Sequence, residues 1–126
     1  KSGAAITEFT AAPVYIDNGN NASHEWLIEF EKEPESIDYF TEILDNALKA
    51  LNSDYEAKRY HNLLLRMPIV RPLPKNTFYL WLKSKGKLGG QFKVPRLSNE
   101  RQYVEEILKL INFKGWTLIV WIINIY

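Results

Sequence analysis

The sequence contains no cysteine, two histidines and one methionine. Without cysteine there is no disulfide, no thiolate nucleophile and no zinc-thiolate site, and nothing in the composition speaks for secretion. His24 and His61 alone are a poor basis for structural zinc. No nucleophile-elbow pattern accompanies them to suggest a Ser–His–Asp triad, so structural roles are the simpler reading, His24 at the start of a strand and His61 at the end of a helix. A Walker A motif is also missing, because Gly86-Lys87-Leu88-Gly89-Gly90 lacks its spacing. Sixteen basic residues stand against fifteen acidic ones. A net charge of +1 excludes a bulk electrostatic grip on nucleic acid or membrane and shifts attention to where the charges cluster. The first residues do not resemble a signal peptide. The longest apolar run, Leu118 to Ile123, falls well short of the ~20 residues that cross a bilayer as a helix. These absences lead us to expect a cytoplasmic protein without bound metal, and the start at Lys1 suggests a piece of a longer polypeptide.

What is present is enough for one globular domain: 126 residues, 46% apolar and 25% charged. Its most distinctive stretch is Lys83 to Arg101, KSKGKLGGQFKVPRLSNER. Gly86, Gly89 and Gly90 lie inside it with Lys83, Lys85, Lys87, Lys93, Arg96 and Arg101, against a single acid, Glu100. Glycine lets a backbone approach a ligand closely, and ammonium and guanidinium groups on such a loop suit phosphate or carboxylate chemistry. An exposed loop that is merely basic has the same composition. So does a nucleic-acid phosphate grip, although the nearby aromatics Phe92 and Tyr103 sit singly rather than as a stacking platform.

Around this loop the patterning predicts an α+β domain, with a small, mainly antiparallel sheet packed with three or four helices. Ala5 to Ile16 reads as a strand interrupted at Pro13, and Asp17-Asn18-Gly19-Asn20 as a turn. Glu25 to Glu31 alternates, with Trp26, Ile28 and Phe30 on a buried face and the glutamates on a solvated one, Leu27 being the exception. Pro34 to Leu51 has the spacing of an amphipathic helix, its stripe running Ile37, Phe40, Leu44, Ala47, Leu48 and Leu51. Ser53-Asp54-Tyr55-Glu56 is a capping-box pattern that places Ser53 at the cap of a short helix. Leu63 to Leu73 alternates like a strand, and Pro68 and Pro72 confine it to an edge or a bulge. Asn76 to Lys85 reads as a helix stopped by Gly86, and Ser98 as the cap of a last helix bearing Val104, Ile107, Leu108 and Ile111. The basic loop then hangs exposed between two anchored helices. Gly115 to Tyr126 is uncharged and rich in β-branched and aromatic residues, which predicts burial as an added strand or self-association through this tail.

Three blocks of this sequence, HEWLIEFEKEP (His24 to Pro34), NSDYEAKR (Asn52 to Arg59) and GKLGGQFKVPRLSN (Gly86 to Asn99), resemble the C-terminal domain of the auxin-responsive Gretchen Hagen family. These are acyl-acid amido synthetases of the adenylate-forming superfamily, and the bacterial members are the most similar. The resemblance covers about Ser2 to Leu108. It implies a lid domain over residues 1–110 and leaves 111–126 as an atypical apolar tail. It implies a ligase in which an N-terminal adenylation domain of the same polypeptide uses ATP and magnesium to activate a carboxylic acid, which is then joined to an amino acid. By motif position the lysine delivered to the adenylation step is Lys93, with Lys87 as the alternative. Gly89, Gly90, Gln91 and Arg96 become the nucleotide-contacting residues. The nucleotide- and acyl-binding motifs of the N-terminal domain are not in this chain, so it is expected to be inactive alone. The alternative from another class is a small phosphate- or nucleic-acid-binding module built on the same loop.

Overall fold

Two twelve-residue strands, one before and one after the expected turn, supply most of the sheet. The computed structural model describes residues 3–16, 21–62, 64–86, 94 and 96–111. Strand β1 (Ala5–Ile16) and strand β2 (Asn21–Lys32) pair antiparallel from Ala5↔Lys32 to Ile16↔Asn21, with a register shift around Ile6. The turn residues 17–20 lie outside the described residues. A short strand, β3 (Ile69–Leu73), joins the other side of β2 in parallel, giving the order β1-β2-β3. The alternation over residues 63–73 becomes a strand only from Ile69. Upstream, Leu65 makes an isolated parallel bridge to Ala22. β3 lies at the sheet edge, where Pro72 has no ladder bond to donate.

Helix α1 (Ile37–Leu51) starts at Ser36, whose Oγ accepts a hydrogen bond from the amide of Tyr39 at 3.1 Å. Ile37, Phe40 and Leu44 pack with Trp26, Ile28 and Phe30, and the rings of Phe30 and Phe40 meet edge to face at 5.2 Å. Leu51, which spacing puts on the same stripe, is 85% exposed. Helix α2 (Ser53–Arg59) follows after one residue, and that residue corrects the expected cap. Asn52 is the cap: its Oδ1 accepts from the amide of Tyr55 at 3.0 Å, while Ser53 is already helical. A single 3-10 turn (Tyr60–Asn62) with His61 at φ 52° ends this segment.

The expectation of one buried sheet face does not hold. Glu25 and Glu29 are 2% and 6% exposed, and Leu27 between them is wholly buried. Helix α3 (Thr77–Ser84) and helix α4 (residues 102–111) cover this second face. Phe78, Trp81, Val104 and Ile107 pack there with Leu27, Ala12 and Leu73. The molecule is therefore layered, α1 on one side of the sheet, α3 and α4 on the other. The glutamates tolerate burial because each carboxylate receives hydrogen-bond donors, Glu25 from arginines and Glu29 from backbone amides. Ser98 is likewise not the cap of α4. Its Oγ accepts from the amide of Glu100 in a local turn, and the first helical bond runs from Glu105 to the carbonyl of Arg101.

Candidate functional site

The basic stretch runs in sequence from the end of α3 towards α4; residues 87–93 and 95 of it lie outside the described residues, and those on either side are placed. At the near flank, α3 has an unusual start. Asn76 occupies the cap position in the left-handed region at φ 70° and makes no side-chain cap bond. The cap is supplied from the sheet instead: Glu29 accepts from the amides of Asn76 and Phe78, each at 3.0 Å. A carboxylate at a helix start also meets the positive end of the helix dipole. At the other end, Gly86 adopts φ 68° and its amide bonds the carbonyl of Lys83, the stop expected for this glycine. Lys85 reaches Glu106 on α4 at 3.0 Å, and Trp81 donates to the same carboxylate oxygen at 3.1 Å. The Lys85 ammonium holds the Glu106 carboxyl below its ordinary range.

The far flank is stitched to β1. Val94 is buried among Leu27, Phe78, Trp81 and Val104. The amide of Ala11 bonds the carbonyl of Arg96 at 2.9 Å, and the amide of Ser98 bonds the carbonyl of Ala11 at 3.1 Å, so Leu97 adds a parallel bridge to the sheet. The Arg96 side chain lies over the ring of Phe9 at 5.4 Å and pairs with Glu8 at 3.1 Å. It remains 64% exposed, so the pair is worth little to stability. Arg101 then ties the base of α4 to the hairpin. It donates to the carbonyl of Pro13 at 3.1 Å, to Glu25 at 2.8 Å and to Glu105. Arg71 on β3 completes the shell around Glu25. Burial alone would raise the Glu25 carboxyl; the hydrogen bonds from Arg71 and Arg101 outweigh it and hold it low.

Of the residues singled out from sequence, Lys93, Lys87, Gly89, Gly90 and Gln91 lie outside the described residues. Arg96 is placed, and its guanidinium is engaged with Glu8 and Phe9. The two histidines are apart in role. His24 stacks on Tyr55 at 6.3 Å, with its pKa lowered by burial and then by Lys58, while His61 abuts Tyr60 at 4.1 Å. Among the described residues no group of three His, Asp or Glu is arranged to hold a metal, and no helix is long and apolar enough to cross a membrane.

The pattern reading missed the carboxylates that support the loop. Their signal was present: two glutamates flank a leucine in the middle of a long strand, and an arginine lies inside the short strand. It missed a second buried cluster as well. Asp45 on α1 accepts from Tyr55 at 2.6 Å and from Arg59 at 2.7 and 2.9 Å, while Arg59 also donates to the carbonyl of Leu65 at 3.1 Å. This cluster sits on the α1–α2 side and locks α2 to α1 rather than shaping the loop.

The fold has a solved counterpart in a GH3.15 acyl acid amido synthetase, with a TM-score of 0.62 and 16% sequence identity. The likeness covers 85% of this chain and 19% of that one, so the chain spans about a fifth of that enzyme's length. No curated protein sequence matches the chain. Over residues 1–102, which hold the whole sheet, α1 to α3 and both flanks of the basic loop, the sequence matches the GH3 family C-terminal domain, and the chain belongs to that family.

Proposed function

We propose that this chain is the mobile C-terminal domain of an ATP-dependent, bacterial-type acyl-acid amido synthetase and that its loop lysine, Lys93, serves the adenylation step. The observation that carries this reading is the family match over residues 1–102. The solved neighbour, an acyl acid amido synthetase, agrees with it. In such a ligase the carboxylate of the acid attacks the α-phosphate of ATP and pyrophosphate leaves. The amine of an amino acid then attacks the acyl carbon and AMP leaves. An ammonium on a flexible stem offsets charge developing on phosphate oxygen in the first step and is not needed in the second. Lid rotation would exchange the two arrangements. The flanks suit that duty, because Gly86 and Val94 are held by a capped helix and by the core while the lysine lies between them. Magnesium would enter with the nucleotide. Glu25, Glu29, Asp45 and Glu106 are committed to arginines, a lysine and backbone amides. The nucleic-acid reading loses support, because Lys85, Arg96 and Arg101 of the basic stretch are each paired with a carboxylate.

Measuring both half-reactions in the full-length ligase tests the assignment. Lys93→Ala is expected to slow acid-dependent pyrophosphate exchange by about 10²–10³-fold and to leave transfer from pre-made acyl-adenylate nearly unchanged. Lys87→Ala is expected to do less. Equal loss in the two half-reactions, or a larger effect from Lys87→Ala, overturns the choice of lysine.

A further inference from the structure

Lys109 on α4 carries an ammonium that its own helix leaves unpaired. The carboxylates within reach along the helix, three and four residues before it, are engaged elsewhere. Glu105 accepts from Arg101 at 2.6 and 2.9 Å, and Glu106 accepts from Lys85 at 3.0 Å, Trp81 at 3.1 Å and Gln102 at 3.3 Å. No aspartate or glutamate follows Glu106 in the sequence. Among the described residues none hydrogen-bonds or pairs with the Lys109 ammonium. Lys109 borders an apolar notch of about 420 Å³ between α3 and α4, lined also by Trp81, Ser84, Lys85, Glu106 and Leu110. The Ser84 hydroxyl is spent on the carbonyl of Trp81 at 2.6 Å. The lining thus holds two ammonium groups against one carboxylate, and Lys109 supplies the uncompensated charge. Residues 112–126, expected from sequence to add a strand or to self-associate, lie outside the described residues and form no part of this site.

We propose that this notch binds a small apolar monocarboxylate, its carboxylate on Lys109 and its carbon body against Trp81 and Leu110. Charge complementarity selects an anion, and the donor set then selects among anions. Phosphate sites gather several donors, commonly an arginine fork or a row of backbone amides at a helix start. Here one point cation stands alone, and the nearby arginine, Arg101, is spent on Glu25 and Glu105. A single ammonium answers a single carboxylate. The walls favour a carbon body, since they are the Trp81 ring, Leu110 and the methylene stems of Lys85 and Lys109. The volume falls at the small end of the range of about 300–1,000 Å³ usual for small-molecule sites, which suits a ring on a short acid chain. The inference stands apart from the ligase reading, because it needs neither ATP nor another domain, and Lys109 and Leu110 lie beyond residue 102, where the family match stops.

The test titrates phenylbutyrate into the full 126-residue chain and follows the indole N–H resonance of Trp81 by heteronuclear NMR. A saturable shift is expected, with a Kd of about 1 mM for a ligand of this size. The neutral isostere phenylbutyramide is expected to bind at least about tenfold more weakly, having no charge to set against the ammonium. Lys109 is exposed, so its replacement should leave the fold intact. Lys109→Met is expected to weaken the acid about tenfold and to leave the amide unchanged, while Lys109→Arg keeps the acid bound. Lys75→Met, exposed ahead of α3 at its opposite end, is expected to change neither. The proposal is overturned by the absence of a saturable shift, by equal affinity for acid and amide, or by an unchanged affinity in Lys109→Met. Displacement of the acid by an equal concentration of inorganic phosphate also overturns it, by showing a general anion site. So does an equal loss from Lys75→Met, by showing diffuse attraction to a basic surface.

Discussion

Burial of a charge is decided residue by residue. Asp45, with a side chain 4% exposed, would be pushed up by burial; hydrogen bonds from Arg59 and Tyr55 outweigh that and hold its carboxyl at about 2. The same burial and the carboxylate push the Tyr55 hydroxyl upward. A carboxyl depressed in the folded chain contributes stability that is present above the ordinary carboxylate range and disappears as pH falls through the folded value. Asp45 is therefore expected to contribute about 2 kcal/mol at neutral pH, lost between about pH 4 and pH 2. Urea titrations across that window should show the decline, and Asp45→Asn should flatten this part of it. At neutral pH the substitution leaves Arg59 buried without its carboxylate and is expected to cost about 3–5 kcal/mol. A smaller loss, or an unchanged acid limb, would place the stabilisation elsewhere.

At the scale of elements, the helix starts separate what spacing reveals from what it hides. Three side chains serve the starts of α1, α2 and α3, yet only Ser36 and Asn52 are local to theirs. The third belongs to Glu29, far away in sequence on β2. No local pattern announces such a cap, which is why α3 was legible as a helix while its dependence on β2 was not. Ser53 and Ser98 show the opposite error, since good capping residues stand within a few residues of a start without occupying its cap. Asn52→Ala is expected to lower stability by about 1 kcal/mol, with Ser53→Ala within about 0.5 kcal/mol, read from denaturant midpoints. The reverse order would restore the capping box. The α+β class, the central hairpin and the stop at Gly86 were accessible from periodicity and glycine. The coverage of both sheet faces was not, because alternating acids look solvated unless the arginines and amides that meet them, from β3, α3 and α4, are already in place.

For the whole molecule, the described residues of α3, Val94 and the Arg96–Ser98 segment lie on either side of residues 87–93 of the basic stretch in sequence. The purified 126-residue chain is expected to show no carboxylic-acid-dependent pyrophosphate exchange. Measurable exchange would mean that the chain holds more of the active site than the proposal allows. The arrangement of β2 carries a further consequence, for the order in which the chain assembles. Its pairing with β1 closes across a short connection, whereas its pairing with β3 must wait until everything from α1 to the 3-10 turn has been gathered. The bridge from Ala11 to Leu97 spans nearly the whole domain. Closing long loops costs more entropy before any contact repays it. In pulsed hydrogen exchange the hairpin amides are expected to gain protection first, those of β3 later, and the Arg96–Ser98 stitch last. The loop's far anchor would then be set only after the sheet it rests on is complete, and protection of Ser98 ahead of β3 would reverse that order.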